Sequence, residues 1–332
     1  MYWFETAEVC LYVVPLYLLY IRILYVLATR RQDFHSHFYK IVLVSGVFDL
    51  IGCTLALFDR FLNTDLFATY IRPHFKSREY TFALTPISYL TYHSVYAAQI
   101  APLLMAFNRM CSLCFPLEYD KIWKRCKLIL FVCFGLLPYS MAWYIPFNRS
   151  GFTFDDTKLW FNYTGFDYDH TRTFGIEDAV VTEYFAGTCA LLAFICNLVN
   201  VCMLIRHKMK GYITGQREIN LVLCSTIIFC TQCCVMMGQY MFSMGSFNIY
   251  FLLRFVLTIV AEVQYILPAL IIVLSIGSLR EAVFRPLLSS NEVSLFKTDK
   301  KSRNTISMNN HNSDSVKSQS SVVIGQYRQA VP

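Results

Sequence analysis

Two carboxylates occupy positions where a carboxylate is costly. Asp49 and Glu262 each lie deep inside a long apolar stretch. A buried ionised group costs several kcal/mol unless it is paired, hydrogen-bonded or solvated. Such a pair can share a proton, bind a cation, or bond facing polar groups and fix packing. A second set follows helical spacing. Tyr92, Tyr96 and Gln99 are four and three residues apart, which keeps them on one face, and His93 is adjacent. A seam of this kind supplies hydrogen bonds in an apolar wall, the chemistry of a small-ligand cavity. It equally supplies bonds between helices. Gln239, Gln264 and Tyr265 are of the same type, so the candidate ligand contacts are Tyr92, His93, Tyr96, Gln99, Gln239, Glu262 and Tyr265. Covalent chemistry has no comparable set. There is no G-x-x-x-x-G-K-[ST], H-E-x-x-H, G-x-S-x-G or G-x-G-x-x-G pattern. Asp49, Glu262 and His93 do not form a protease or acyltransferase constellation. Cys111-Ser112-Leu113-Cys114 is an isolated C-x-x-C with no second pair or nearby histidine. Neither an enzyme nor a cofactor is implied, and no metal site.

The elements that must hold these residues are membrane helices. Residues of the hydrophobic class make up 56% of the chain and charged residues 15%, against about 25% charged in a soluble globule. Mean hydropathy is +0.43. Seven apolar stretches run from about Val9 to Ile276, at roughly 9–28, 40–62, 82–107, 127–147, 181–205, 218–243 and 251–276. A bilayer core of about 30 Å needs about 20 helical residues. Leu128–Phe147, Tyr184–Ile205 and Ile219–Phe242 reach that length with no charged residue. Lipid gives backbone amides no water, so such stretches are helical. The expected fold is an all-α, seven-transmembrane bundle over 1–286 and a disordered, Ser- and Asn-rich tail over 287–332. Serines in that tail near basic residues are candidates for phosphorylation.

Charge sets the expected orientation. With the N-terminus outside, thirteen Lys and Arg fall on the cytoplasmic side, among them Arg30, Arg109, Lys121, Lys124, Arg206 and Arg217, against seven outside. The net charge of +7 then reflects positive-inside loops rather than nucleic-acid binding. Two sequons, Asn148-Arg149-Ser150 and Asn162-Tyr163-Thr164, share the loop 148–180 that this topology places outside, so Asn148 and Asn162 are expected glycosylation sites. The six acidic residues of that loop, Asp178 among them, read as a solvated surface or as a lid over a pocket. Met1–Glu8 has no basic n-region, so the first helix is expected to remain as an anchor. The 13 cysteines are odd in number and fall in spans or cytoplasmic loops, which does not suggest a disulfide framework.

The end of the third stretch reads Phe107-Asn108-Arg109-Met110, then Phe115-Pro116, Tyr119 and Lys121-Ile122-Trp123. It resembles the nematode serpentine chemoreceptors of the class gamma superfamily, either class gamma itself or its sister class V, which carry an N-R-M … F-P … Y-x-K-I-W run at this boundary. Ser36-His37-Phe38-Tyr39 leading to Asp49, and Leu267-Pro268 with Ser275 and Arg280, are similar too. The resemblance implies a plasma-membrane, G-protein-coupled-receptor-like bundle, in sensory cilia for some cells. Its partners would be a small-molecule ligand, a heterotrimeric G protein and the lipid bilayer. It assigns Arg109, with Asn108, Lys121 and Arg206, to G-protein engagement. Asn108 stands where better-known receptors keep an Asp, which weakens a charge-pair restraint on Arg109. Residues 64–110 and 148–180 contain no cysteine, so no disulfide pins the outer loop to the third helix. The alternative from another class is a seven-helix ligand-gated channel or transporter without G-protein coupling.

Overall fold

The computed structural model describes residues 9–62, 64, 67–74, 79–155, 163–169, 178–210, 216–243 and 258–284. Its contacts divide the chain into two units, Met1–Gly277 and Ser278–Pro332. The tail 287–332 lies outside the described residues.

A π-helical turn, Val9–Val13, leads into α1, Val14–Thr29, with Pro15 in its first turn. The helix α2 spans His37–Leu62. Its buried positions run Phe38, Ile41/Val42, Ser45/Gly46, Asp49 and Gly52/Cys53, a stripe repeating every three to four residues. Asp49 therefore falls on the inward face by register.

The central helix α3, Thr85–Cys114, is buried nearly all round in its second half, as a helix surrounded by others must be. Expected to stop near residue 107, it continues seven residues further. No breaker intervenes before Pro116, and the residue preceding a proline disfavours helix. Asn108 and Arg109 thus sit within the helix rather than after it.

The segment expected as one helix over 127–147 is broken. This element, α4, comprises α-helix Cys126–Phe131, a π-helical turn Val132–Leu136, and α-helix Leu137–Met141, followed by a 3-10 turn at Ile145–Phe147. Pro138 explains the break: it has no N–H for the carbonyl four residues back, that of Phe134.

The helix α5 spans Asp178–Met209. Its inward face is a run of small residues, with Ala186, Cys189, Ala190, Ala193 and Cys196 all buried. Small side chains allow two backbones to approach closely. The opposite face exposes Leu191, Leu192, Phe194, Ile195 and Leu198, an apolar surface suited to lipid. The remaining helices are α6, Gln216–Ser243, α7, Thr258–Ser275, and α8, Gly277–Phe284.

Within the first unit α3 packs on α2, α5 and α6, while α7 packs on α1, α2 and α6. On length and composition alone, three of the described helices can cross a bilayer, at Leu11–Thr29, His37–Leu62 and Val180–Met209. The helix α3 is long enough but carries a polar seam, and α4 is interrupted.

One element departs from an all-α reading. Strands β1, Ser150–Asp155, and β2, Tyr163–Tyr168, pair antiparallel with Ser150 opposite Tyr168 and Phe152 opposite Phe166. Phe152 is buried with Leu62 and Phe67, while Phe166 packs alongside. Residues directly opposite in an antiparallel pair share one face, which brings the Phe152 and Phe166 rings together at 5.6 Å.

Candidate functional site

The polar seam of α3 bonds to neighbouring helices along its whole length. In its N-terminal half the Tyr92 hydroxyl donates to Asp178 Oδ2 at 3.2 Å. The hydroxyls of Tyr144 and Tyr168 donate to the same carboxylate. One turn further in, the Tyr96 hydroxyl lies 3.3 Å from Thr182 Oγ1, with Phe185 edge-on to its ring at 5.2 Å. Asp178 is therefore the acceptor that joins α3, α5, the end of α4 and strand β2, not a solvated surface acid. Tyr96, Tyr144 and Tyr168 are completely buried. Burial first, and then the bond to Asp178, push the Tyr168 phenol far above its usual value, so it keeps its proton and remains a donor.

The β1–β2 hairpin is fastened to α3 without a disulfide, and no disulfide joins the described cysteines. Ser150 pairs with Thr81 through both backbone bonds, at 2.8 and 2.9 Å. Ser88 Oγ donates to Ser150 Oγ at 2.8 Å, and Thr85 Oγ1 to the Asn148 carbonyl at 2.8 Å.

His93 does not join the Tyr92–Gln99 seam. Its Nε2 donates to the Phe134 carbonyl at 2.9 Å, and its Nδ1 faces the Tyr89 hydroxyl at 3.1 Å. A carbonyl can only accept, which fixes the proton on Nε2. The carbonyl is the one that Pro138 leaves without a helical partner. His93 thus closes the break in α4, and Phe48 covers both groups, 5.2 Å from His93 and stacked 6.0 Å from Phe134.

In mid-bundle, Gln232 of α6 donates through Nε2 to both the backbone oxygen and Oε1 of Gln99, each at 3.1 Å. Asp49 accepts a short 2.5 Å bond from the Tyr20 hydroxyl of α1. Tyr265 is buried with Val13, Cys53, Ala98 and Ile266. The side chains of Gln239 and Glu262 lie outside the described parts of α6 and α7. A cavity bordered by Asp49, Ala98, Pro102, Gln232, Gln264 and Pro268 has about 10 Å³ open to a water molecule. That is room for one water, too little for an organic ligand in this arrangement.

Near the C-terminal end of α3, Asn108 and Arg109 are both buried, Arg109 at 7% exposure. The Tyr119 hydroxyl donates to Asn108 Oδ1 at 2.9 Å. The Arg109 guanidinium carbon lies 4.5 Å from the ring centre of Phe38. Trp123 is completely buried, with Phe107 and His37 against it at 6.2 and 5.9 Å. The N-R-M, tyrosine and tryptophan signature thus forms one packed cluster, while Lys121 and Arg206 are exposed.

The sequence reading missed Tyr20, Asp178, Tyr144, Tyr168 and Gln232. Tyr20 and Gln232 carried a signal, each being a polar group within an apolar helix. Asp178 carried none, since it sits among five other loop acids.

Asn148 does not fit the glycosylation expected of it. It is 1% exposed, and its Nδ2, the atom a glycan would occupy, donates to the Tyr144 carbonyl at 2.9 Å. Asn162 lies outside the described residues. Asn148→Gln is expected to leave the glycosidase-sensitive mobility of expressed protein unchanged. A faster-running N148Q band would show that the residue is modified and that the turn after α4 is rebuilt.

Long apolar helices bonded to one another by buried polar side chains define a polytopic membrane bundle. Residues 6–277 match the Srg chemoreceptor family, and the chain belongs to that family of serpentine receptors. Two Caenorhabditis elegans proteins are similar: serpentine receptor class gamma-16, 24% identical over 144 residues, and serpentine receptor class gamma-9, 27% identical over 137 residues. The matched segments cover 42% and 40% of this chain, and 44% and 40% of those relatives, so the chain spans less than half the length of each. Both relatives are of class gamma. The family is one of chemoreceptors rather than of enzymes.

Proposed function

We propose that this chain is a chemosensory receptor that detects a small molecule and signals to a heterotrimeric G protein. In this reading it crosses the plasma membrane seven times, with the N-terminus outside and residues 287–332 in the cytoplasm. Ligand binds among the outer halves of α3, α5, α6 and α7, where Tyr92 and Tyr96 reach towards α5. The cytoplasmic face that receives the G protein is built from Asn108, Arg109, Lys121 and Arg206. A ligand moves such a bundle only by its difference in affinity for the two arrangements.

The burial of Arg109 carries the reading. An arginine kept only as a positive-inside anchor extends to the headgroups and water. Arg109 instead is 7% exposed, at the end of the central helix. A guanidinium kept from water is a reserved binding group, released when helices part. Arg109→Ala is expected to abolish receptor-dependent nucleotide exchange on a panel of purified Gα subunits while surface level changes little. Exchange that persists in R109A, or ligand-evoked current in cells lacking G-protein function, would transfer the protein to the channel class.

A further inference from the structure

We infer that Phe38 is the positioning residue for Arg109. The face of its ring holds the guanidinium against α2, and engagement of a G protein requires the arginine to leave that face. The inference rests on the coupling role proposed for Arg109 above.

The geometry is that of a cation over an aromatic face. The guanidinium carbon is 4.5 Å from the ring centre, well inside the ~6 Å range of such contacts. Both partners are withdrawn from water, Phe38 at 1% and Arg109 at 7% exposure. Desolvation places this contact at the strong end of its kind. Phe38 is carried by its own helix. It lies in the first turn of α2, which the bond from Tyr39 N to the Ser36 carbonyl, 3.1 Å, ties to the preceding chain.

The adjacent side chain is committed elsewhere. Asn108 is uncharged, and its Oδ1 accepts from Tyr119, which ties it to the segment after α3. A neutral ring contact also suits this site. Separating an arginine from an ionised acid leaves a second buried charge behind, whereas leaving Phe38 exposes only an apolar face. On its other side α3 packs against α6. An outward shift of α6 would open a path for the arginine.

Fluorination of the ring separates this role from packing. Mono-, di- and trifluoro-phenylalanine at position 38 weaken the negative face stepwise and change ring size little. In the full-length receptor in membranes, the rate at which phenylglyoxal modifies Arg109 is expected to rise with each fluorine. The total rise should be about thirtyfold at the trifluoro ring, the scale of a lost buried cation–aromatic contact. Ligand-independent nucleotide exchange on the Gα panel should rise in the same order, and R109A should abolish it. A modification rate that stays flat across the series overturns the inference, since a ring that merely fills space is indifferent to fluorine. A rising rate with exchange fixed at the R109A level keeps the contact and overturns the coupling role. Phe38→Leu, similar in volume without a π face, should match the trifluoro ring in both readouts.

Discussion

Replacing Asp178 with alanine should destabilise the receptor more than any other single substitution in the tyrosine cluster around it. Three phenols, from Tyr92, Tyr144 and Tyr168, donate to this one carboxylate. Hydrogen bonds to a charged group contribute roughly 1.5–3 kcal/mol each. The phenols lie close together, with the Tyr144 and Tyr168 ring centres 6.3 Å apart, so the hydroxyls can regroup among themselves. After that recovery the loss should still be about 3 kcal/mol. The measurement is the thermal unfolding midpoint of detergent-purified protein, with surface level in cells as a second readout. D178A should fall well below the parent in both. Asp178→Asn keeps one acceptor oxygen and the side-chain volume, and should lose about half as much. If D178A unfolds with the parent, the tyrosines stand without the acid, and the carboxylate does not join the hairpin to α3 and α5.

That acid was not legible in the sequence, and the reason is separation. Tyr92 and Asp178 are 86 residues apart, and local pattern carries no pairing information over such a distance. Asp178 was indistinguishable from its loop neighbours until β2 brought Tyr168 onto it. Periodicity did place the faces of the long helices. The inward stripe of α2 through Asp49 and the seam Tyr92–Tyr96–Gln99 follow from spacings of three and four. What each seam residue bonds did not follow. Tyr92 and Tyr96 turn to α5, and Gln99 turns to α6.

Proline was the signal used too little. Pro138 frees the Phe134 carbonyl, and that oxygen draws His93 away from the seam beside which it sits in sequence. The same residue breaks the fourth apolar stretch, which composition alone presents as one continuous helix. The hairpin was hidden differently. Its strands are six residues each and lie in an acidic loop, so their alternation of aromatic rings is brief.

The contact between α2 and α7 depends on an absent side chain. A Cβ built on Gly52 would lie 2.4 Å from Tyr265 Cε1 and 2.5 Å from Cζ. Real atoms do not approach so closely, so Gly52→Ala must displace the ring. Tyr265 is 4% exposed and packs with Val13, Cys53, Ala98 and Ile266, which leaves it little room to turn. Overpacking of a filled core costs typically about 1–3 kcal/mol. G52A should therefore lower the unfolding midpoint of purified receptor by several degrees. The cause can be isolated with a second substitution. Tyr265→Leu destabilises alone by emptying the site, but it removes the ring that the new methyl would strike. In a double-mutant cycle the two changes should couple favourably by more than about 1 kcal/mol, the signature of residues in contact. Additive losses would mean that G52A acts through the backbone of α2, where alanine, a better helix former than glycine, ought to stabilise. A loss that is both real and additive has no source in this geometry, so that outcome would disprove the close packing of α7 on Gly52.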